Sequence, residues 1–471
     1  MILWFRHDLR LADQPALSAA VASGRPILAL YVLDEDSPGV WAMGGASRWW
    51  LHYSLTELAG LLADRGVPLV LRRGPARQVL PALVGETGAG EIRAGGGAEP
   101  WMRALDRDLS RDLDIPFHRH RTTLLFNPET LRTAAGTPYA VYTPFARACF
   151  AAGPAAPLPV PPGPWRGAAA VASDRLEDWA LLPRQPNWAR EWEGIWQPGE
   201  AGAAAALERF LEASLPAYAG QRDFPGIAGT SRLSPHLHLG EISAATIWHA
   251  AGSAAAETGD GLLTFRKEVL WREFSHYLLW HHPHLPEAPL AERFAAMPWR
   301  QDGAALSAWQ RGRTGVPIVD AGMRELSQTG WMHNRVRMIT ASFLVKHLLL
   351  PWQAGEAWFW DMLVDADLAA NAASWQWVAG SGADAAPYFR IFNPVLQGRK
   401  FDADGTYVRR FVPEIAALPD AHLHAPWEAP AAVLAGAHVH LGQTYPIPIV
   451  DLADGRARAL AAFAALNEGA P

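Results

Sequence analysis

An α/β domain built on a parallel sheet, followed by an all-α domain, is the fold class this sequence predicts, and three observations carry it. Short β-rich runs alternate with Ala/Leu-rich helical stretches through the first third, the order of βαβ units. From about residue 200 onward Ala, Leu and Trp recur at three- and four-residue spacings, the period of helices. Between the two, Gly153–Pro164 holds proline at a density that neither a helix nor a central strand accepts, so it reads as a stiff exposed connector. The division expected is residues 1–130, a linker over 131–200, and 201–471.

Ile2–Phe5, Ile27–Leu33 and Val67–Leu71 are apolar runs of strand length, expected as buried strands of a Rossmann-like sheet. Pro15–Ala22, Trp49–Asp64 and Trp101–Asp112 are expected as the intervening helices. Gly88–Gly97 is glycine-rich, but it holds no G-x-G-x-x-G turn set between strand and helix, and the chain has no G-x-x-x-x-G-K-[ST]. A conventional dinucleotide or P-loop site is therefore not expected there.

The 471 residues suffice for two or three domains. A net charge of −6 is no footprint of a strongly basic nucleic-acid binder, although a local basic patch would suffice. The single Cys149 excludes a disulfide framework and a multi-cysteine metal site, and it fits a reducing, cytoplasmic setting. No apolar run of about 18 residues predicts a membrane span, and the N-terminus lacks a secretory pattern. The 22 Trp are the anomaly, calling either for stacking surfaces and electron relays or for an aromatic-rich core.

Polar side chains in apolar surroundings mark the candidate site. Gly330-Trp-Met-His-Asn-Arg-Val-Arg-Met338 and Asp365–Val378 place charges and amides where a helical core carries aliphatics, which calls for partners or a planar polar ligand. Arg335 and Arg337 are expected in a helix over 331–345, with Asp365 and Asp367 after the next helix as ion-pair candidates. Asn371, Trp375 and Trp377 follow, the two indoles pointing in different directions. Glu268, Trp271 and Arg272 share a helix face at i, i+3 and i+4, which suits a ligand or a plain ion pair equally. Ser234 before Pro235 reads as an N-cap, and Thr230 and Ser231 with free N–H groups suit a phosphate, though a plain capped helix explains them alone. His276, His281, His282 and His284 lack metal-ligand spacing and read as solvated or capping; no metal is expected.

Together these blocks resemble the photolyase/cryptochrome family, most closely its class I-like cyclobutane pyrimidine dimer photolyases. The resemblance runs through Trp4-Phe-Arg-His-Asp-Leu-Arg10, Tyr218–Ser234, Glu268–Phe274, Thr314–Asp320, Gly330–Met338, Asp365–Trp377 and Asp384–Pro394, nearly the whole chain. It implies that the C-terminal domain holds FAD through Tyr218, Thr230, Ser231, Arg232, Leu233, Ser234, Phe265, Arg337, Asp365, Ala366, Asp367 and Asn371. Asn371 would face the flavin and Glu268 would hydrogen-bond the damaged bases. Trp271 and Trp377 would flank a flipped dimer, and Arg222, Arg272, Asn334, Arg335 and Gln397 would touch DNA. Trp375, Trp352 and Trp299 match an indole chain that carries electrons to the flavin.

The implied activity is light-driven repair of cyclobutane pyrimidine dimers in UV-damaged DNA by a monomer, with a cryptochrome-type photoreceptor as the alternative. Asn334 and Met338 stand where (6-4)-lesion relatives carry histidines. Glu268 and Trp377 are kept, and the long extension of signalling cryptochromes is not expected. For an antenna chromophore a folate is the first choice, with a deazaflavin or an empty site as alternatives. Gly95–Met102 lacks the aromatics of some folate-binding relatives, and no lysine follows Pro286.

Overall fold

The computed structural model describes residues 1–254, 259–384 and 390–468. Contacts divide the chain into unit 1 (Met1–Pro216, Ser231–Pro283, Val364–Ala370) and unit 2 (Ala217–Thr230, His284–Leu363, Asn371–Pro471).

Unit 1 is built on five parallel strands: β1 (Ile2–Phe5), β2 (Leu28–Leu33), β3 (Leu69–Arg73), β4 (Ile92–Gly96) and β5 (Phe117–Arg121), in the order β3-β2-β1-β4-β5. Ile2 pairs with Leu28 on one side and Ile92 on the other. β1 and β2 are buried along their whole length, as central strands covered on both faces must be. The helices among the strands are α1 (Pro15–Ala22), α2 (Gly45–Ala63), α3 (Ala76–Thr87) and α4 (Pro100–Asp112). Ile2, Leu28, Leu30, Val70, Leu80, Ile92 and Leu105 form the core between sheet and helices.

Three elements were not expected. α3 carries an internal proline, Pro81. β5 is a basic edge strand, Phe-His-Arg-His-Arg, whose charges suit a row of unpaired backbone groups. β4 lies inside the glycine-rich stretch. Its Gly95 answers to close approach, not to a phosphate: a Cβ there would run into Asp8 and Thr122. The proline-rich run leads back to unit 1, where Ala168 N donates to Ile27 O and Trp165, Trp179, Trp192 and Trp196 are buried.

The helices continue as α5 (Tyr142–Ala152), α6 (Glu200–Ala213), α7 (Tyr218–Gln221), α8 (Ser234–His238), α9 (Ala244–Ala254) and α10 (Asp260–His281). Then come α11 (Gly303–Gln310), α12 (Pro317–Thr329), α13 (Asn334–Ser342), α14 (Trp352–Met362), α15 (Leu368–Ala379) and α16 (Pro394–Phe401). Among the described residues no helix is long and apolar enough to cross a membrane.

Unit 2 is pinned by buried carboxylates. Asp320 accepts from Thr314 N (2.6 Å), Thr314 Oγ1 (2.7 Å), Gly315 N (3.0 Å) and Tyr445 Oη (2.8 Å). The Thr314–Asp320 block is thereby accounted for as architecture. Glu325 likewise accepts from His333 N and Tyr407 Oη.

Candidate functional site

In unit 1, α10 carries Glu268, Trp271 and Arg272 on one half-buried face. Trp271 lies flat against Tyr142, with ring centroids 3.7 Å apart and planes 4° from parallel. Arg272 donates to Thr123 O at 3.0 Å and Leu237 O at 3.4 Å, so its guanidinium braces unit 1 where the resemblance gave it a DNA contact. Glu273 accepts from Leu125 N (3.1 Å) and Phe126 N (2.8 Å), and burial pushes its pKa up. These braces fix the rotation of α10. Phe265 is buried against Phe210.

Asp365, Ala366 and Asp367 are all nearly buried. Asp367 Oδ2 sits 2.8 Å from His276 Nε2. Burial alone would raise the Asp367 pKa, but His276 and Arg272 hold it far below the usual carboxylate range. This corrects the expectation of a solvated or capping His276: it is buried and paired with a candidate site residue. His281 instead contacts Pro128 O, and His284 is exposed beside Glu287. Among the described residues no group of three His, Cys, Asp or Glu could hold a metal ion.

The segment before α8 departs from expectation. Leu233 takes the cap position without a side-chain cap bond, Ser234 is the first helical residue, and the helix has only five residues. Its dipole is correspondingly small. Arg232 sits in the left-handed region at φ 51°, and Ser231 Oγ accepts from Leu233 N at 3.4 Å. This tight bend leaves hydroxyls and backbone N–H groups as the phosphate-binding chemistry on offer.

The sheet's switch point lies between β1 and β4, where α/β sheets place ligands beyond the strand ends. Here it is plugged. Arg6 pairs with Asp106 at 2.6 Å and also donates to Gly95 O. What remains, beside His7, Glu99, His238, His276 and Asp367, is a cavity of about 10 Å³, the room of one water. Burial opposes ionisation of Glu99, yet its hydrogen bond with His7 brings the pKa down to about 2. Gly95, Gly96, Gly97, Glu99 and Met102 all line this void, so it offers no seat for a chromophore. A second cavity in unit 1, about 440 Å³, is lined by Trp49, His52, Tyr53, Glu177, Arg184 and Glu193 among others.

In unit 2, α13 starts at Asn334, not at 331, because Gly330 ends α12 in the left-handed conformation and His333 caps the new helix by accepting from Arg335 N. The helix passes into a π-turn over Phe343–His347, which ends the expected helix in a different geometry. Arg335 pairs with Asp223 at 2.7 Å and lies over Phe401. Arg337 Nε donates to Met332 O at 2.7 Å. Asn334 is exposed, and Gln397 on α16 is half-buried. Arg222 lies over the buried Tyr218, and Thr230 is half-buried.

Asn371 is buried, and its Nδ2 donates to Glu356 O at 3.0 Å, tying α15 to α14. Four residues on, Trp375 is buried and packs on Gly355, where a Cβ would enter its ring. It meets Phe359 at 5.0 Å and Trp309 at 6.2 Å. Trp352 is buried at the start of α14, and half-buried Trp299 packs against the Phe294–Met297 cluster. Trp377 is half-buried, so the two indoles of α15 do serve different surroundings. Tyr142, Trp309 and Glu356 escaped sequence reading, since each is brought to its neighbours by tertiary packing alone. Of the Asp384–Pro394 block, residues 385–389 lie outside the described residues.

Two family models match: DNA photolyase over residues 1–163, and the FAD binding domain of DNA photolyase over residues 265–465. The chain is 50% identical to a deoxyribodipyrimidine photo-lyase of Agrobacterium fabrum, over 99% of this chain and 98% of that protein. The chain belongs to the photolyase/cryptochrome family. It also matches cryptochrome-1 of Arabidopsis thaliana, at 38% identity over 97% of this chain and 69% of that protein. Among solved structures, a bacterial class III photolyase from Agrobacterium tumefaciens superposes with a TM-score of 0.94 at 49% identity, covering 99% of this chain and 97% of the other. The class I-like expectation gains no support from this likeness. The FAD-binding domain expected at the C-terminus is established by the family match.

Each unit carries side chains whose chemistry fits such a cofactor: in unit 1 the hydroxyls of Ser231 and Ser234 and the Asp367 carboxylate, in unit 2 the Thr230 hydroxyl and the Asn371 amide, which is anchored through Glu356 O.

Proposed function

We propose that this chain repairs cyclobutane pyrimidine dimers in DNA, using light and bound FAD. The observation that carries the reading is the half-buried face of α10, where Glu268 and Trp271 lie one turn apart on a helix that Glu273 and Arg272 hold in place. FAD, when bound, absorbs the light and supplies the electron; the protein orients and tunes.

A dimer inside a duplex is out of reach, so it must be extruded at a cost of a few kcal/mol, less for a lesion that already disturbs stacking. Stacking on an aromatic side chain is worth about 1–3 kcal/mol per base, so Trp271 and Trp377 together offset the flip without reading sequence. Glu268 stabilises charge that develops on the base carbonyls by donating a hydrogen bond to them, a role that requires its carboxyl proton or one shared with the base. Asn371, Arg337 and Asp365 orient the flavin, while Thr230, Ser231, Ser234 and the backbone around them take the diphosphate. Trp375, Trp352 and Trp299 serve as the indole route for photoreduction. Arg222, Arg335, Asn334 and Gln397 take the DNA backbone; Arg335 reaches it with its charge partly offset by Asp223.

The second chromophore is a folate, and support comes from the 440 Å³ cavity. Trp49 and Tyr53 supply aromatic surface, Glu177 and Glu193 acceptors for a pterin edge, and Arg184 a partner for a carboxylate tail. An absorption spectrum of the purified protein separates folate, deazaflavin and flavin alone.

The test of repair is direct. Reduced holoprotein incubated with dimer-bearing DNA under blue light removes the dimers; their persistence would overturn the proposal. The likeness to cryptochrome-1 favours a second reading, a photoreceptor with little repair. Light-dependent partner binding with intact dimers would select it.

A further inference from the structure

We infer that Tyr142 is a positioning residue for dimer recognition, holding the Trp271 indole in the plane that receives the lesion. The inference rests on the reading of Trp271 as a lesion contact. Tyr142 opens α5, with Val141 at the cap position in extended backbone. Its hydroxyl donates to Lys267 O at 2.7 Å, a carbonyl of α10 one turn before Trp271. Its ring then lies parallel to the Trp271 indole at 3.7 Å. Phe274 closes the group edge-on, 5.9 Å from Tyr142 and 6.0 Å from Trp271.

The arrangement is a brace anchored at both ends. A tryptophan side chain has two rotatable bonds, and a half-buried one loses affinity for a flat ligand if it must be ordered on binding. Tyr142 is buried, so its ring is already fixed by its own core, and the parallel stack passes that order to Trp271. One face of the indole is thereby occupied, and the surface Trp271 still exposes lies away from Tyr142. Parallel rings at this separation are in van der Waals contact over their faces, so the buried ring restricts the tilt of its partner. Tyr142 does not touch the substrate; it acts by removing the alternative orientations of the group that does.

The test is dark binding of flavin-loaded protein to a duplex with one thymine dimer and to the same duplex undamaged. The proteins are wild type, Tyr142→Phe, Tyr142→Leu, Trp271→Leu and the Tyr142→Leu/Trp271→Leu pair. Tyr142→Phe keeps the stack and is expected to bind the dimer within about threefold of wild type. Tyr142→Leu is expected to bind it about tenfold more weakly, a change of 1.4 kcal/mol, with undamaged DNA and bound flavin unaffected. In the Trp271→Leu background the same change is expected to add nothing, the signature of one coupled pair. Equal weakening toward both duplexes, additive losses, or no loss in Tyr142→Leu would each overturn the inference while leaving Trp271 in its role. If Trp271→Leu itself keeps full dimer preference, the reading beneath fails and this one with it.

Discussion

Glu356 offers the sharpest test of the physical chemistry of unit 2. It is fully buried on α14, and neither carboxyl oxygen has a hydrogen-bond partner among the described residues. Burial pushes its pKa up to about 9 from an ordinary 4.5. The folded chain thus holds a proton that the unfolded chain releases near pH 4.5. Stability from this group is fully present below pH 4.5 and drains away as pH rises toward 9. At pH 7 the retained proton costs on the order of 3 kcal/mol, at 1.36 kcal/mol per pH unit above the ordinary value. Glu356→Gln keeps the shape and the backbone carbonyl that Asn371 uses, and it removes the titration. The variant is expected to unfold at higher temperature than wild type at pH 8, with the gap closing by pH 5. Thermal unfolding of both proteins from pH 5 to 9 measures this. Parallel pH curves would refute the reasoning, since they would mean that Glu356 titrates normally or finds a partner.

Glu268→Ala is expected to lower dimer repair per absorbed photon by about tenfold or more while the yellow flavin stays bound, checked by repair quantum yield and absorption; loss of flavin would mean the residue belongs to the cofactor site. Trp375→Phe, which shortens the indole packed on Gly355 and leaves a small cavity, is expected to slow photoreduction of oxidised flavin severalfold or more, read by transient absorption, at a cost of about 1–3 kcal/mol in stability that leaves the protein folded. Asp320→Ala strands the Thr314, Gly315 and Tyr445 donors in a buried site and is expected to destabilise by about 3 kcal/mol or more, read by thermal or denaturant unfolding. Binding to undamaged DNA is expected to fall steeply between 50 and 200 mM salt through lost phosphate contacts. A flat salt response would remove Arg222 and Arg335 from the DNA surface.

What sequence reasoning could see depended on whether a residue's neighbours lie close in the chain. β1 and α1 have the bounds expected from Ile2–Phe5 and Pro15–Ala22, because an apolar run and a Pro-led Ala/Leu stretch declare themselves locally. β4 did not, because three of its features point elsewhere: two glycines, a charged residue and no alternation. Only the meeting of Gly95 with Asp8 and Thr122 explains its composition, and that meeting is across strands. The α10 face was legible because helical spacing alone brings Glu268, Trp271 and Arg272 together. Its partners were not. Arg272 spends its donors on Thr123 and Leu237, over a hundred and some thirty-five residues away in the chain, and His276 finds Asp367 ninety-odd residues on.

The same rule separates architecture from chemistry among the motifs. Thr314–Asp320 is as polar as the α10 and α15 blocks, yet its buried carboxylate takes four hydrogen bonds from Thr314, Gly315 and Tyr445 within unit 2. A carboxylate satisfied in this way marks a brace, since its lone pairs are already spent on the fold. Glu356 is the counter-case: a buried carboxyl with both oxygens unengaged among the described residues, whose backbone carbonyl takes the Asn371 amide on the helix that also carries Trp375. Buried carboxyls with strongly raised pKa values cluster at functional sites, so a Glu356→Gln protein that gains stability is also expected to lose photoreduction yield. If it gains stability and keeps full yield, the buried carboxyl has no part in the flavin chemistry.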